Sequence, residues 1–179
     1  MGVLKGPLVG SLRRSSVVLL LALLTAACDF AKTTTQPSPS PPPTSAHIEL
    51  TITPSPVPVH VDCPAPTNPD FCLASFNPTV TVVETAGVGG RINSVEVTLR
   101  NVTLGRDETK VTLGADWVAR QAGTNRLEAR AGIGFQPVVS GYPIPAAGPR
   151  PQLRIILGVQ FIDDKNNTLF QSVQADLAF

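Results

Sequence analysis

Few residues in this 179-residue chain have types and spacing that suit chemistry. Cys63 and Cys72 bracket a loop stiffened by Pro64, Pro66 and Pro69. Two thiols this close in sequence pair in an oxidising compartment, and the loop-entropy model gives such a cross-link about 2–3 kcal/mol. A closed zinc site needs further soft ligands and only His60 is near, while the spacing does not match a redox motif. Asp163-Asp164-Lys165-Asn166-Asn167 gathers oxygen ligands, so Asp163, Asp164 and Asn166 are weak candidates for calcium. A hairpin turn selects the same residues for local hydrogen bonds and positive φ, and the turn is the preferred reading. Gly87-Val88-Gly89-Gly90 lacks the lysine of a phosphate loop and reads as a flexible turn. His47 and His60 have no partnered serine or cysteine, and neither an elbow serine nor a zinc-protease helix pattern occurs. The expectation is no catalytic activity, no cofactor and no resident metal.

Cys28 belongs to a different pattern. Arg13-Arg14 precede the apolar run Val17 to Leu24, which ends in Thr25-Ala26-Ala27-Cys28. A basic flank, an apolar segment and small residues at the cleavage point mark an export signal, too short to span a bilayer. Leu24-Thr25-Ala26-Ala27-Cys28 resembles the lipobox of bacterial lipoproteins, which implies cleavage before Cys28 and a diacylglyceryl group on its sulfur. Parity agrees, because a Cys63–Cys72 pair leaves Cys28 as the odd thiol. Acyl chains contribute about 0.8 kcal/mol per buried methylene, and two or three of them anchor stably where one does not. In some bacteria an aspartate after the lipidated cysteine, as Asp29 is here, retains lipoproteins in the inner membrane.

The elements that follow carry the anchor away from the fold. Thr33-Thr34-Thr35 and Gln36 to Ser45, rich in proline and serine, cannot bury enough apolar surface to order themselves and favour extended polyproline II. Residues 1–27 are thus a signal peptide, 28–46 the lipidated cysteine and tether, and 47–179 one domain of ordinary size. Fourteen Lys and Arg against thirteen Asp and Glu leave a net charge of +1, so no basic stripe supports binding to nucleic acid.

Within the domain the periodicity is close to two. Ile48 to Thr53 and Asn93 to Arg100 alternate apolar with polar side chains, as half-buried strands do. Thr79 to Glu84, Thr109 to Leu113, Arg126 to Gln136, Gln152 to Ile162 and Thr168 to Phe179 make about seven strands, with one helical piece at Ala115 to Arg120. No connection is long enough for crossover helices, so the expected fold class is all-β, an immunoglobulin-like antiparallel β-sandwich. Pro54, Pro56 and Pro58 suit an edge, and Leu153 to Ile162, nearly apolar on both faces, a central strand. Val82 to Leu99 and Val159 to Asn167 resemble strand-turn-strand segments of small bacterial surface lipoproteins with immunoglobulin-like domains. That resemblance implies a lipid-anchored place in the bacterial cell envelope, facing the periplasm or exterior, and transfers no site residue. Sandwiches bind through end loops, so Phe135, in the stretch Ala131 to Pro137, and Tyr142, in Gly141 to Pro149, are weak binding candidates against a preferred role at the core's rim. The expected role is a binding or scaffolding module, its partners the membrane through the lipid and an envelope protein or polysaccharide; the alternatives are a surface carbohydrate-binding module and, less favoured, an envelope enzyme.

Overall fold

In the computed structural model, which describes residues 40–63, 65 and 68–179, the two-residue period is realised as twelve strands and one helix. In chain order they are β1 (Ile48–Thr53), β2 (Val57–Pro58), β3 (His60–Asp62), β4 (Phe71–Phe76), β5 (Thr79–Glu84), β6 (Gly90–Asn101), β7 (Arg106–Gly114), α1 (Ala115–Ala122), β8 (Arg126–Leu127), β9 (Gly132–Phe135), β10 (Val139–Pro145), β11 (Leu153–Asp163) and β12 (Thr168–Ala178). The fold is all-β, with three sheets among the described residues. Residues 1–39, with the signal segment, Cys28 and most of the tether, lie outside the described residues.

Six of the seven expected strands each coincide with one element, but the count is higher. The stretch Arg126 to Gln136 divides into β8 and β9, and β2, β3, β4 and β10 are additional. Ala131 to Pro137 is mostly strand rather than exposed loop, and Gly141 to Pro149 contributes five of the seven residues of β10.

The largest sheet has the order β2-β12-β11-β6-β7, with β8 on the margin of β6. Its centre is β11, antiparallel to β6 and β12, and its inward side chains Leu153, Ile155, Leu157, Val159 and Phe161 are all buried. The other two sheets, β1-β5-β9 and β10-β4-β3, are separate but continue one another in register, β4 leading into β5 and β9 into β10. Val80 pairs with Phe135 and Phe76 with Val139, so that register brings Pro78 opposite Pro137. Neither proline has an N–H to donate, and the ladder breaks there. Pro54 and Pro56 follow the end of β1, and the chain resumes as β2, with Pro58 in it, in the large sheet, parallel to the end of β12 through Val57 and Leu177. Buried side chains from all three sheets form one core, joined by Val118 of α1.

Gly114 precedes α1, and Gly123 at φ 77° ends it in the left-handed conformation that glycine adopts without penalty. Asp116 in its first turn and Arg120 in its last complement the helix dipole. Trp117 packs edge-on against Phe135 with ring centroids 5.8 Å apart. The antiparallel register gives the domain two poles. Ile48, Glu84, Gly90, Asp163 and Thr168 share one, and Phe71, Asn101, Leu153 and Ala178 share the other. The twelve residues of β6 separate the poles by about 36 Å.

Candidate functional site

Two buried carboxylates hold the chain where it joins the domain. Glu84, fully buried, accepts hydrogen bonds from the backbone amides of His47, Ala86, Gly87 and Arg130 at 2.8–3.3 Å. Asp163, 3 % exposed, accepts from the amides of Ala46, Lys165 and Asn167 and from Asn167 Nδ2 at 2.8–3.0 Å. Burial pushes both carboxyls up, but the donated hydrogen bonds outweigh it and hold both below the ordinary carboxylate value. Asn167 Nδ2 also donates to the Thr44 carbonyl, and the Thr85 amide to that of His47. Thr44 to His47 is thereby fixed at one pole.

These contacts account for the acidic turn. Both oxygens of Asp163 face N–H donors, Asn166 adopts φ 63°, and Asp164 forms a two-pronged pair with Arg126 at 2.9 and 3.0 Å. The Arg126 hydrogen bond holds the Asp164 carboxyl below its ordinary value. Asp163, Asp164 and Asn166 are therefore together in space, in a hairpin turn where the carboxylate oxygens of Asp163 and Asp164 are already paired. Among the described residues no cluster of three His, Cys, Asp or Glu side chains is placed to hold a metal. Cys63 and Cys72 are disulfide-bonded with Cα atoms 4.5 Å apart, closing the loop before β4 at the other pole.

The concave surface lies between two strand edges. β7 ends the large sheet, β10 ends its own, and a slot opens between them. One part is a cleft of about 710 Å³ lined by Leu104, Arg106 and Glu108 on one side and by Tyr142, Pro143 and the segment Pro149 to Gln152 on the other. Next to it along the same strands is a trough of about 270 Å³, lined by Val97, Leu99, Thr109, Val111 and Leu113 against Pro137 to Ser140. Val111 pairs with Val97 and so faces the same side as that buried residue, yet it is 45 % exposed. The inner face of β7 projects past the layer that should cover it. Val138, 70 % exposed, and Leu104, 59 % exposed, extend the apolar lining.

Charge in the slot is confined to the end near Asn101. Arg106 Nε donates to Glu108 Oε1 at 3.0 Å, and Nη2 approaches Oε2 at 3.4 Å. Arg150 has no ion-pair partner among the described residues. Burial, then the neighbouring Glu108 carboxylate, raise the Tyr142 hydroxyl above its ordinary value, so it stays a protonated donor at neutral pH.

Of the two aromatic candidates, only Tyr142 reaches this surface; Phe135 is 2 % exposed, in the core against Trp117. Val111, Val138, Leu104 and Arg150 were not singled out by the sequence. The alternation Thr109 to Leu113 was the available signal, but it marks a strand without marking an edge.

No family model matches the chain, and no curated protein matches it. Among solved structures, one similar chain is described as the X-ray structure of Northeast Structural Genomics Consortium target SoR45. It shares 7 % identity at a TM-score of 0.47, over 73 % of this chain and 84 % of that one. The functional reading therefore rests on the chain's own residues.

Proposed function

We propose that the chain is a lipid-anchored bacterial envelope protein whose immunoglobulin-like domain holds a ligand in the slot between β7 and β10. The observation that carries this reading is polarity. The residues that join the tether to the domain are clamped at one pole, and the slot runs from mid-domain towards the other, about 36 Å away along β6. A domain tethered through Cys28 would leave that end clear for a partner.

The immunoglobulin-like reading is supported by strand order. β12-β11-β6-β7 follows the G-F-C-C′ arrangement, and β1-β5-β9 follows A-B-E. In chain order the fourth strand of the A-B-E-D layer belongs between β7 and β9, where this chain has α1 and the two-residue β8. The slot is the space such a strand would border. Polysaccharide binding has less support, because Tyr142 is the one aromatic residue among the described residues lining the slot, too little for a stacking platform.

Metabolic labelling with palmitate tests the anchor. Label is expected on the wild type and absent from Cys28→Ala, with the wild type in the membrane fraction; label on neither would sink the lipoprotein reading.

A further inference from the structure

We propose that the slot takes an anionic single-chain amphiphile, a fatty carboxylate, with its alkyl chain in the trough and its carboxylate at Arg150. The ligand class rests on the slot being the binding face.

The lining of the trough is aliphatic apart from the hydroxyl-bearing Thr109 and Ser140. It sits over the uncovered inner face of β7, where Val111 and Val138 stay exposed to water although they adjoin buried Val97 and Leu99. An exposed apolar surface beside a strand edge invites an added strand, yet the residues argue against one. Pro137, Pro143 and Pro145 remove donors along the β9–β10 side. A strand added to the outer edge of β7 would widen the sheet and leave the inner face bare. An alkyl chain needs no backbone partner and covers that face directly.

Charge fixes the orientation. Among the described residues all ionisable lining is at the cleft end, where Arg106 is paired with Glu108, Arg150 has no ion-pair partner and Tyr142 adds a donor hydroxyl, and the trough has none. From Leu113 to Arg106 the walls run about 23 Å, which matches an extended long-chain fatty acid. A neutral sugar would leave the trough empty, and a plain hydrocarbon would leave the guanidinium of Arg150 unmatched.

The test is a titration of the full chain carrying Cys28→Ser with decanoate below its micellar concentration, read by displacement of a fluorescent fatty acid. Saturable one-site binding is expected. Val111→Asp and Val138→Asp, both at solvent-exposed positions, should each weaken it roughly tenfold or more with the thermal midpoint unchanged. Arg150→Gln should weaken decanoate about fivefold while decanol binding stays as it was. No saturable binding, equal binding by both aspartate variants, or binding to anionic vesicles without binding to the monomer would each overturn the ligand class. Those outcomes are separate from the palmitate result, which concerns Cys28 alone.

Discussion

Replacing Glu84 by glutamine changes one atom at the most heavily used acceptor in the domain. The Glu84 carboxylate serves four backbone amides: Oε1 takes those of His47 and Ala86, Oε2 takes that of Arg130, and both face Gly87. In glutamine one of these oxygens becomes an NH₂ group, which cannot accept, so whichever way the amide is turned at least one buried N–H loses its partner outright. The remaining bonds also lose the charge that strengthened them. An orphaned buried donor costs about 1–3 kcal/mol, and bonds to a charged acceptor exceed neutral ones by roughly 1 kcal/mol. The expected loss is about 2–4 kcal/mol, a large share of the 5–15 kcal/mol typical of a domain. For a unit of this size that lowers the melting temperature by about 8–14 °C at pH 7. Calorimetry gives the shift, with exposed Glu49→Gln as a control expected within about 0.5 kcal/mol of wild type. Amide exchange should accelerate at Ala86, Gly87 and Arg130 before it does in β11. A Glu84→Gln protein melting within about 2 °C of wild type would refute the clamp.

Acid titration of the melting temperature tests the same carboxylates. Glu84 and Asp163 titrate lower in the folded chain than in the unfolded one, so their contribution is complete above the ordinary carboxylate pKa and disappears as the pH falls through the lowered values. The curve should be level from pH 7 to about 5 and fall below about 4, less steeply in Glu84→Gln. Two glycines separate a rigid close approach from a soft one. A Cβ at Gly90 would meet the Ile162 carbonyl oxygen at 2.5 Å and Asp163 Cα at 2.7 Å, so Gly90→Ala should cost about 2–3 kcal/mol in denaturant unfolding. At Gly158 the nearest atom, at 2.5 Å, belongs to the exposed ring of Phe170, which can swing away, and Gly158→Ala should stay within about 1 kcal/mol of wild type. Cys63→Ser with Cys72→Ser should lower stability by about 2–3 kcal/mol, measured against the oxidised parent.

The strands that alternate strictly were legible because burial of one face imposes a period of two. β1 and the middle of β6 announce themselves this way, whereas β11 is legible from its continuous apolar run, which also gives its central place. β10 was hidden by Pro143 and Pro145, which deny a central strand but are accepted on an edge. β4 was hidden because Phe71 to Phe76 follows a proline-rich disulfide loop and its apolar residues do not alternate cleanly. The Asp163 turn could be read from its residue types, whereas the burial of Glu84 could not. A glutamate at a strand end is usually solvated, and only the folded chain brings the amides of His47 and Arg130 to it. The slot was illegible for a topological reason. Tyr142 stood out as the lone tyrosine, but Val111, Val138 and Arg150 gain meaning only once β7 and β10 are known to be sheet edges.

The central claim is that this domain, clamped to its tether at one pole, binds through the slot that runs towards the other. Photoreactive side chains placed singly at Val138, Leu104 and Thr168, followed by light activation in intact cells, test it most directly. The account predicts a discrete adduct of one mass at Val138 and Leu104, lost when Val111→Asp is added, and none at Thr168 beside the tether junction. Adducts at Thr168 alone, or adducts at all three positions indifferent to Val111→Asp, would contradict it.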